Sequence, residues 1–209
     1  MEKEFLEFRN LGLNATTVGF LGTFVFTLVQ GWGLIRQYGT IQKKRSGESI
    51  PLLLYSCFTG VYLAFAVYGW KIGSLAMIMN GLLGFLYAVV YVTAVRYPDS
   101  DGMKPWHFLF LGLIPLLALT SFPKEVMGTI LLFATGLLFQ APIEILKNKS
   151  SGAVEPRYLV SFTASASFWV IYTFGIKDWT VFAVNAVAVA IMLWTLRLWY
   201  VHRPAVTEP

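Results

Sequence analysis

The chain has 209 residues, of which 56% are hydrophobic and only 13% are charged, whereas about 25% are charged in a typical soluble domain. Its mean hydropathy is +0.64, so a surface exposed to water could not be covered with charge. The composition therefore excludes a soluble protein and predicts an integral membrane protein. The net charge of +5 does not indicate a nucleic-acid partner, because the basic residues cluster at the ends of apolar segments, where the membrane explains them.

Apolar stretches of a length suited to membrane-spanning helices follow one another along the chain, separated by short polar breaks. Helices are predicted because a segment inside lipid must satisfy its own backbone hydrogen bonds. Glu2, Glu4 and Glu7 give the N-terminus a charge unlike that of a signal peptide, so the first span is retained. The seven predicted spans are residues 16–38, 50–70, 73–95, 106–121, 125–146, 158–176 and 179–201.

The Lys and Arg residues are divided unequally between the two ends of these spans. Eleven fall on the side of the 43–45 and 147–149 loops, and five fall on the other side. Because short basic loops stay in the cytoplasm, we predict an external N-terminus and a cytoplasmic C-terminus in the plasma (cell inner) membrane.

The chain contains an internal repeat with an offset of 104 residues, which places the first three spans on the last three. One extra residue in the outer loop then brings Asn80 onto Asn185. We predict an all-α fold of two parallel three-helix repeats, residues 1–97 and 123–209, joined by a linker helix within residues 98–122. Parallel repeats of this kind place a transport site near the middle of the membrane.

Three motifs recur in the two repeats: a basic stretch ending in Ser, an aromatic residue three positions before a tyrosine, and an asparagine in the third helix. They read Lys43-Lys44-Arg45-Ser46 and Lys147-Asn148-Lys149-Ser150, Phe65-Ala66-Val67-Tyr68-Gly69 and Trp169-Val170-Ile171-Tyr172-Thr173, then Asn80 and Asn185. On these motifs the chain resembles the SWEET sugar transporters of the MtN3/saliva and PQ-loop clan over nearly its whole length. The tail after Tyr200 is only nine residues, unlike the long tails of plant and animal members, which favours a prokaryotic member or a shortened chain.

Asn80 and Asn185 each offer donors and an acceptor without charge, which suits the hydroxyls of a sugar. The alternative is that the two amides only bond neighbouring helices together. Phe65 and Trp169 lie one repeat apart and would stack on the apolar face of a sugar ring. Ser165 lies one helical turn before Trp169, and Val61 holds the corresponding place before Phe65, so both join the predicted substrate site.

The resemblance also implies gates and hinges. An outer gate is implied at Tyr68, Tyr172 and Asp178, although anchoring at the membrane interface explains such residues as well. The Pro-Gln pair that names the clan is degraded to Arg36-Gln37 and Gln140-Ala141-Pro142. The implied hinge residues are Pro51, Pro142, Pro156, Gln37 and Gln140.

A passive sugar uniporter is the function that these observations favour, because no Asp or Glu lies centrally in a span to carry protons. An exporter of amino acids or other small metabolites, or a non-transporting receptor of the same layout, remains an alternative. Each of these would be expected to place charge in the cavity. Cys57 is the only cysteine, so no disulfide, zinc cluster or iron–sulfur site can be built. No enzyme activity, cofactor or metal site is predicted. The expected partners are a small sugar and membrane lipid, with a homo-oligomer left open.

Overall fold

A computed structural model describes residues 5–9, 11–100, 102–117 and 123–203, and the regular structure within these ranges is helical. The predicted all-α class is therefore confirmed. The helices are α1 (Leu6–Arg9), α2 (Ala15–Lys44), α3 (Leu52–Ile72), α4 (Leu75–Gly81), α5 (Leu83–Ala94), α6 (Pro105–Leu117), α7 (Pro123–Leu137), α8 (Gln140–Asn148), α9 (Pro156–Gly175) and α10 (Trp179–Val201).

Five stretches of the described chain are long and apolar enough to cross a membrane. They are Ala15–Lys44, Leu52–Ile72, Leu75–Ala94, Val126–Asn148 and Trp179–Val201. Two of the predicted spans are not among them. The fourth span corresponds to α6, which the structure describes as far as Leu117. Residues 118–121 of this span lie outside the described chain. The sixth span, α9, is long enough but less apolar, because serine and threonine residues interrupt it.

Two of the spans are broken, and the sequence explains both breaks. The third span divides into α4 and α5 at Leu82, directly after Gly81. Glycine destabilises the interior of a helix, because its backbone has more conformational freedom to lose. The fifth span divides into α7 and α8 at residues 138–139. Pro142 follows this second break, and its ring displaces the carbonyl group four residues earlier, at Leu138.

The helices pack in the same pattern in the two halves of the chain. In the first half, the α4–α5 span contacts both α2 and α3; in the second half, α10 contacts α7, α8 and α9. Between the halves, α2 packs along α9 and α3 packs against α7, while α6 packs on α3. We call the end that carries residues 43–45 and 147–149 the basic end, and the end that carries Ser74 and Asp178 the opposite end.

Backbone features recur at the interval of 104 residues. The helix caps Arg45 and Lys149 both adopt the left-handed conformation, as do Gly73 and Lys177. Helices α3 and α9 begin at Leu52 and Pro156, and α4 and α10 begin at Leu75 and Trp179.

The prediction of an extra residue in the outer loop is wrong. The N-caps of the third spans, Ser74 and Asp178, are already 104 residues apart, so the extra residue before Asn185 lies within α10. Asn80 consequently lies near the end of the short α4, whereas Asn185 lies inside a continuous helix.

Glycine residues allow α2 and α9 to approach closely along their length. A Cβ atom added to Gly19 would lie 2.4 Å from Tyr172 Cα, and one added to Gly33 would lie 3.0 Å from Tyr158 Cα. On α9, a Cβ atom at Gly175 would lie 2.6 Å from Thr16 N. Small residues bring helix backbones together in membranes, so these glycines let the two halves pack closely.

Replacing Gly19 with alanine should destabilise the protein by about 1–3 kcal/mol, because the new methyl group meets the backbone of α9. Gly39→Ala is the matched control in the same helix, since no atom lies within 4 Å of the added Cβ. That change should raise stability by up to about 1 kcal/mol through helix propensity. Thermal unfolding of the purified variants measures both effects, and equal melting temperatures for the two would contradict the close contact.

Candidate functional site

A central cavity lies between the two halves, lined by side chains of α2, α3, α4, α7, α9 and α10. Its volume is about 60 Å³. All of the predicted substrate-binding residues line it: Asn80, Asn185, Trp169, Phe65, Ser165 and Val61. The structure therefore brings together residues that the sequence places up to 124 positions apart.

Two polar groups on α9 face this cavity without a hydrogen-bond partner. Trp169 is 4% exposed, and its Nε1 atom is a buried donor with no partner in the described part of the chain. The Ser165 hydroxyl, one turn earlier, also makes no hydrogen bond there. Ser161 and Thr173 on the same helix instead donate to carbonyl groups of their own helix. Because an unpaired buried polar group is costly, this pair marks a place where a ligand can bond.

The two asparagines have different partners. Thr27 on α2 donates to Asn80 Oδ1 at 3.2 Å, so this amide bonds two helices. Asn185 Nδ2 donates to the carbonyl oxygen of Val181 in its own helix at 2.8 Å. Asn80 therefore bonds two neighbouring helices together, whereas Asn185 does not. Each side chain keeps one polar atom that can bond to a ligand.

Aromatic rings from the two halves face each other in pairs one repeat apart. The rings of Phe65 and Trp169 have centroids 5.9 Å apart, with 31° between their planes. Those of Phe58 and Phe162 are 5.7 Å apart and nearly parallel, at 1°. The described lining of the cavity carries no charged side chain. It is an apolar, aromatic-walled chamber with a few neutral polar groups.

Sequence reasoning missed a polar cluster beside the cavity. Gln30 of α2 also lines the cavity, and its Nε2 donates to the hydroxyls of Tyr62 at 2.9 Å and Tyr87 at 3.0 Å. Tyr87 in turn shares a 3.0 Å hydrogen bond with Tyr158 of α9. The signal was present, since Gln30 is an amide inside an apolar span, like the asparagines that were chosen.

At the opposite end, the predicted gate residues are divided between two places. Tyr68 and Asp178 line a second cavity of about 530 Å³, which shares lining residues with the central one. Tyr172 is instead buried and donates its hydroxyl to Glu7 Oε1 at 3.0 Å. Glu7 is only 1% exposed. From the sequence it was used only as part of the charge of the N-terminus, and its buried position was not predicted.

Three of the predicted hinge residues, Gln37, Pro51 and Pro156, lie at the basic end. Gln37 is fully buried, donates to the carbonyl oxygen of Ala153 at 2.8 Å and accepts from Glu155 N at 2.9 Å. Pro51 and Pro156 stand at the starts of α3 and α9. Gln140 and Pro142 follow the break between α7 and α8. Their service as hinges stays a prediction.

A carboxylate in the loop between α5 and α6 anchors the loop between α2 and α3 at the basic end. Asp99 accepts hydrogen bonds from the Ser46 hydroxyl and from Gly47 N, the latter at 2.8 Å. Partial burial raises the pKa of Asp99, but the hydrogen bonds that its carboxylate accepts together lower the pKa by a larger amount. The pKa of Asp99 therefore lies below its usual value. The anchor is therefore charged at neutral pH.

Comparisons with known proteins agree with this geometry. The sequence family described as "Sugar efflux transporter for intercellular exchange" matches residues 125–206. A solved structure of a eukaryotic SWEET transporter shares the fold, with a TM-score of 0.57 at 14% identity over 90% of this chain and 96% of that chain. The resemblance to the SWEET family is confirmed. No curated protein sequence matches the chain.

The sequence match to the SWEET family covers the second half, which contains α8, α9 and α10. The likeness in fold extends over both halves. The chain is an integral membrane protein of SWEET-like fold, and its central cavity lies where the two halves meet.

Proposed function

We propose that this protein is a passive sugar uniporter that works by alternating access between two three-helix bundles. The observation that carries the proposal is the central cavity with its neutral lining, its paired aromatic rings and its unpaired donors on α9. A sugar offers hydroxyls to such donors and an apolar ring face to the aromatic rings. The match of residues 125–206 to a family of sugar efflux transporters supports a sugar as the substrate class.

The proposed layout is a 3+1+3 arrangement of parallel repeats, with α6 as the linker. It is supported by the backbone features that recur at 104 residues and by the common packing pattern of the two halves. An amino acid exporter is less well supported, because the described cavity lining offers no charge to an ammonium or carboxylate group. Uptake of a panel of labelled sugars into liposomes that contain the purified protein tests the function directly.

Ser165→Ala and Trp169→Phe should each lower sugar affinity roughly five- to 150-fold, the effect of one lost hydrogen bond in a partly dehydrated site. Ser165→Ala should leave the melting temperature of the sugar-free protein unchanged, whereas Trp169→Phe also removes part of a buried ring packed on Phe65 and Tyr172 and should lower it. Ser167→Ala is the matched control, since Ser167 donates to Thr163 O in its own helix and does not line the cavity. Ligand-induced shifts in melting temperature measure the affinities.

The asparagines extend this test. Asn185→Ala should weaken sugar binding without breaking a contact between helices, whereas Asn80→Ala should also lower stability, because it removes the acceptor of Thr27. If both variants keep the ligand-induced shift of the parent protein, the asparagines do not belong to the site.

Transport should be independent of a proton gradient, because the described cavity lining has no group that titrates near neutral pH. Initial uptake rates into liposomes with and without an imposed pH gradient should agree closely. Accumulation of sugar above its external concentration when the gradient is present would refute passive transport.

The basic end should face the cytoplasm. Lys43→Cys at the basic end and Leu13→Cys at the opposite end place exposed reporters at the two ends, and the native Cys57 is fully buried. An impermeant thiol reagent added to intact cells should modify the reporter at Leu13 and spare the one at Lys43. The reverse pattern would invert the proposed orientation.

A further inference from the structure

Glu7 is a buried carboxylate held on the start of the α4–α5 span. It accepts hydrogen bonds from the Ser74 hydroxyl at 2.7 Å, from Leu75 N at 3.1 Å and from Ala76 N at 3.2 Å. The backbone is attached at the same place, because Leu6 N donates to Gly73 O at 2.9 Å. A negative charge is favourable beside the amides that open a helix, so Glu7 and the start of α4 form one unit.

A fourth hydrogen bond leads from this unit to the other half of the molecule. The Tyr172 hydroxyl of α9 donates to Glu7 Oε1 at 3.0 Å. Glu7 thus has three bonds to the first half and one to the second. If the halves separate at this end, the carboxylate must stay with α4, and the bond to Tyr172 must break.

The two helices joined in this way carry the central site. Asn80 lies on α4, and Ser165 and Trp169 lie on α9. At the basic end the halves are also joined, by Gln37 and by a hydrogen bond from Ala153 N to Glu48 O at 3.0 Å. A mechanism that opens one end at a time must break one of these sets of bonds in each step.

We propose that Glu7 is a latch between the repeats: its hydrogen bond with Tyr172 holds the halves together at the opposite end and breaks whenever that end opens. This inference rests on the alternating access of the proposed function. A charge-assisted bond in a dehydrated setting is strong, so the latch sets how often the central cavity opens toward that end. Glu7 is in this sense a positioning residue and does not line the described cavities.

The test measures how readily the central cavity is reached from each end. Ala134, which is 3% exposed and lines the central cavity, is replaced by cysteine as the reporter, and the buried Cys57 stays in place. An impermeant maleimide is applied to intact cells and, in parallel, to inside-out vesicles, so that each end is probed in turn. The parent chain without the reporter serves as the blank.

Loss of the latch should make the opposite end open more often. Tyr172→Phe removes the hydroxyl group that reaches Glu7 across the halves. Glu7→Gln replaces the carboxylate with an amide, whose N–H groups would face the N–H and O–H donors that now bond to Glu7. Each should speed labelling from the opposite end about 10- to 100-fold, as expected for the loss of one hydrogen bond to a charged group. Glu144→Gln, the same change at a partly buried carboxylate of α8, should leave the rate at that of the parent.

Unchanged labelling in Tyr172→Phe overturns the latch. If Glu7→Gln fails to fold, Tyr172→Phe still decides the matter, because it keeps the buried ring. The labelling assay needs no sugar, so a failure of the latch can be distinguished from a failure of the proposed substrate. Altered labelling with no sugar uptake would contradict the proposed substrate and leave the latch standing, whereas normal uptake with unaltered labelling would contradict the latch alone.

Discussion

The close contact between α2 and α9 is the constraint on which the rest of the structure depends. Gly19 and Gly33 on α2 let the helix backbones meet at both ends, so the seam between the halves is closed along its length. Lipid tails are as apolar as the helices, and such a contact therefore comes from close packing and hydrogen bonds more than from the hydrophobic effect. The central and second cavities lie beside this contact and are lined in part by α3 and α7.

The polar side chains of the membrane-spanning helices fall into two groups, those with a hydrogen-bond partner and those without one. Most serine and threonine side chains of α9 donate to the preceding turn of their own helix, and Gln30 is paired with two tyrosines. Ser165 and Trp169 are left without partners where the cavity begins. Since pairing is available to their neighbours one turn away, the missing pairs set this region apart from the rest of the helix. The serine and threonine residues also leave α9 outside the five stretches that are long and apolar enough to cross a membrane.

The sequence predicts those features that depend on local pattern. Apolar length gives the helices, the 104-residue offset gives the recurring caps, and the chemistry of asparagine and tryptophan gives the lining of the cavity. Features that depend on distant pairing were not predictable. Glu7 and Tyr172 are 165 residues apart in sequence, and nothing around Glu7 distinguishes it from an ordinary solvated charge. The place of the extra residue before Asn185 was misjudged because a loop usually tolerates insertions better than a helix does.

The burial of Trp169 gives the molecule a built-in optical reporter. Trp169 is 4% exposed, while five of the other six tryptophans are at least 39% exposed and so face lipid or water. Quenchers dissolved in lipid or water would quench the fluorescence of the five exposed tryptophans and leave that of Trp169 in the cavity. Indole emission moves to longer wavelength when its N–H group gains a polar partner, so the residual fluorescence would follow occupancy of the cavity without any attached dye. The exposed tryptophans are Trp32, Trp70, Trp106, Trp179 and Trp194.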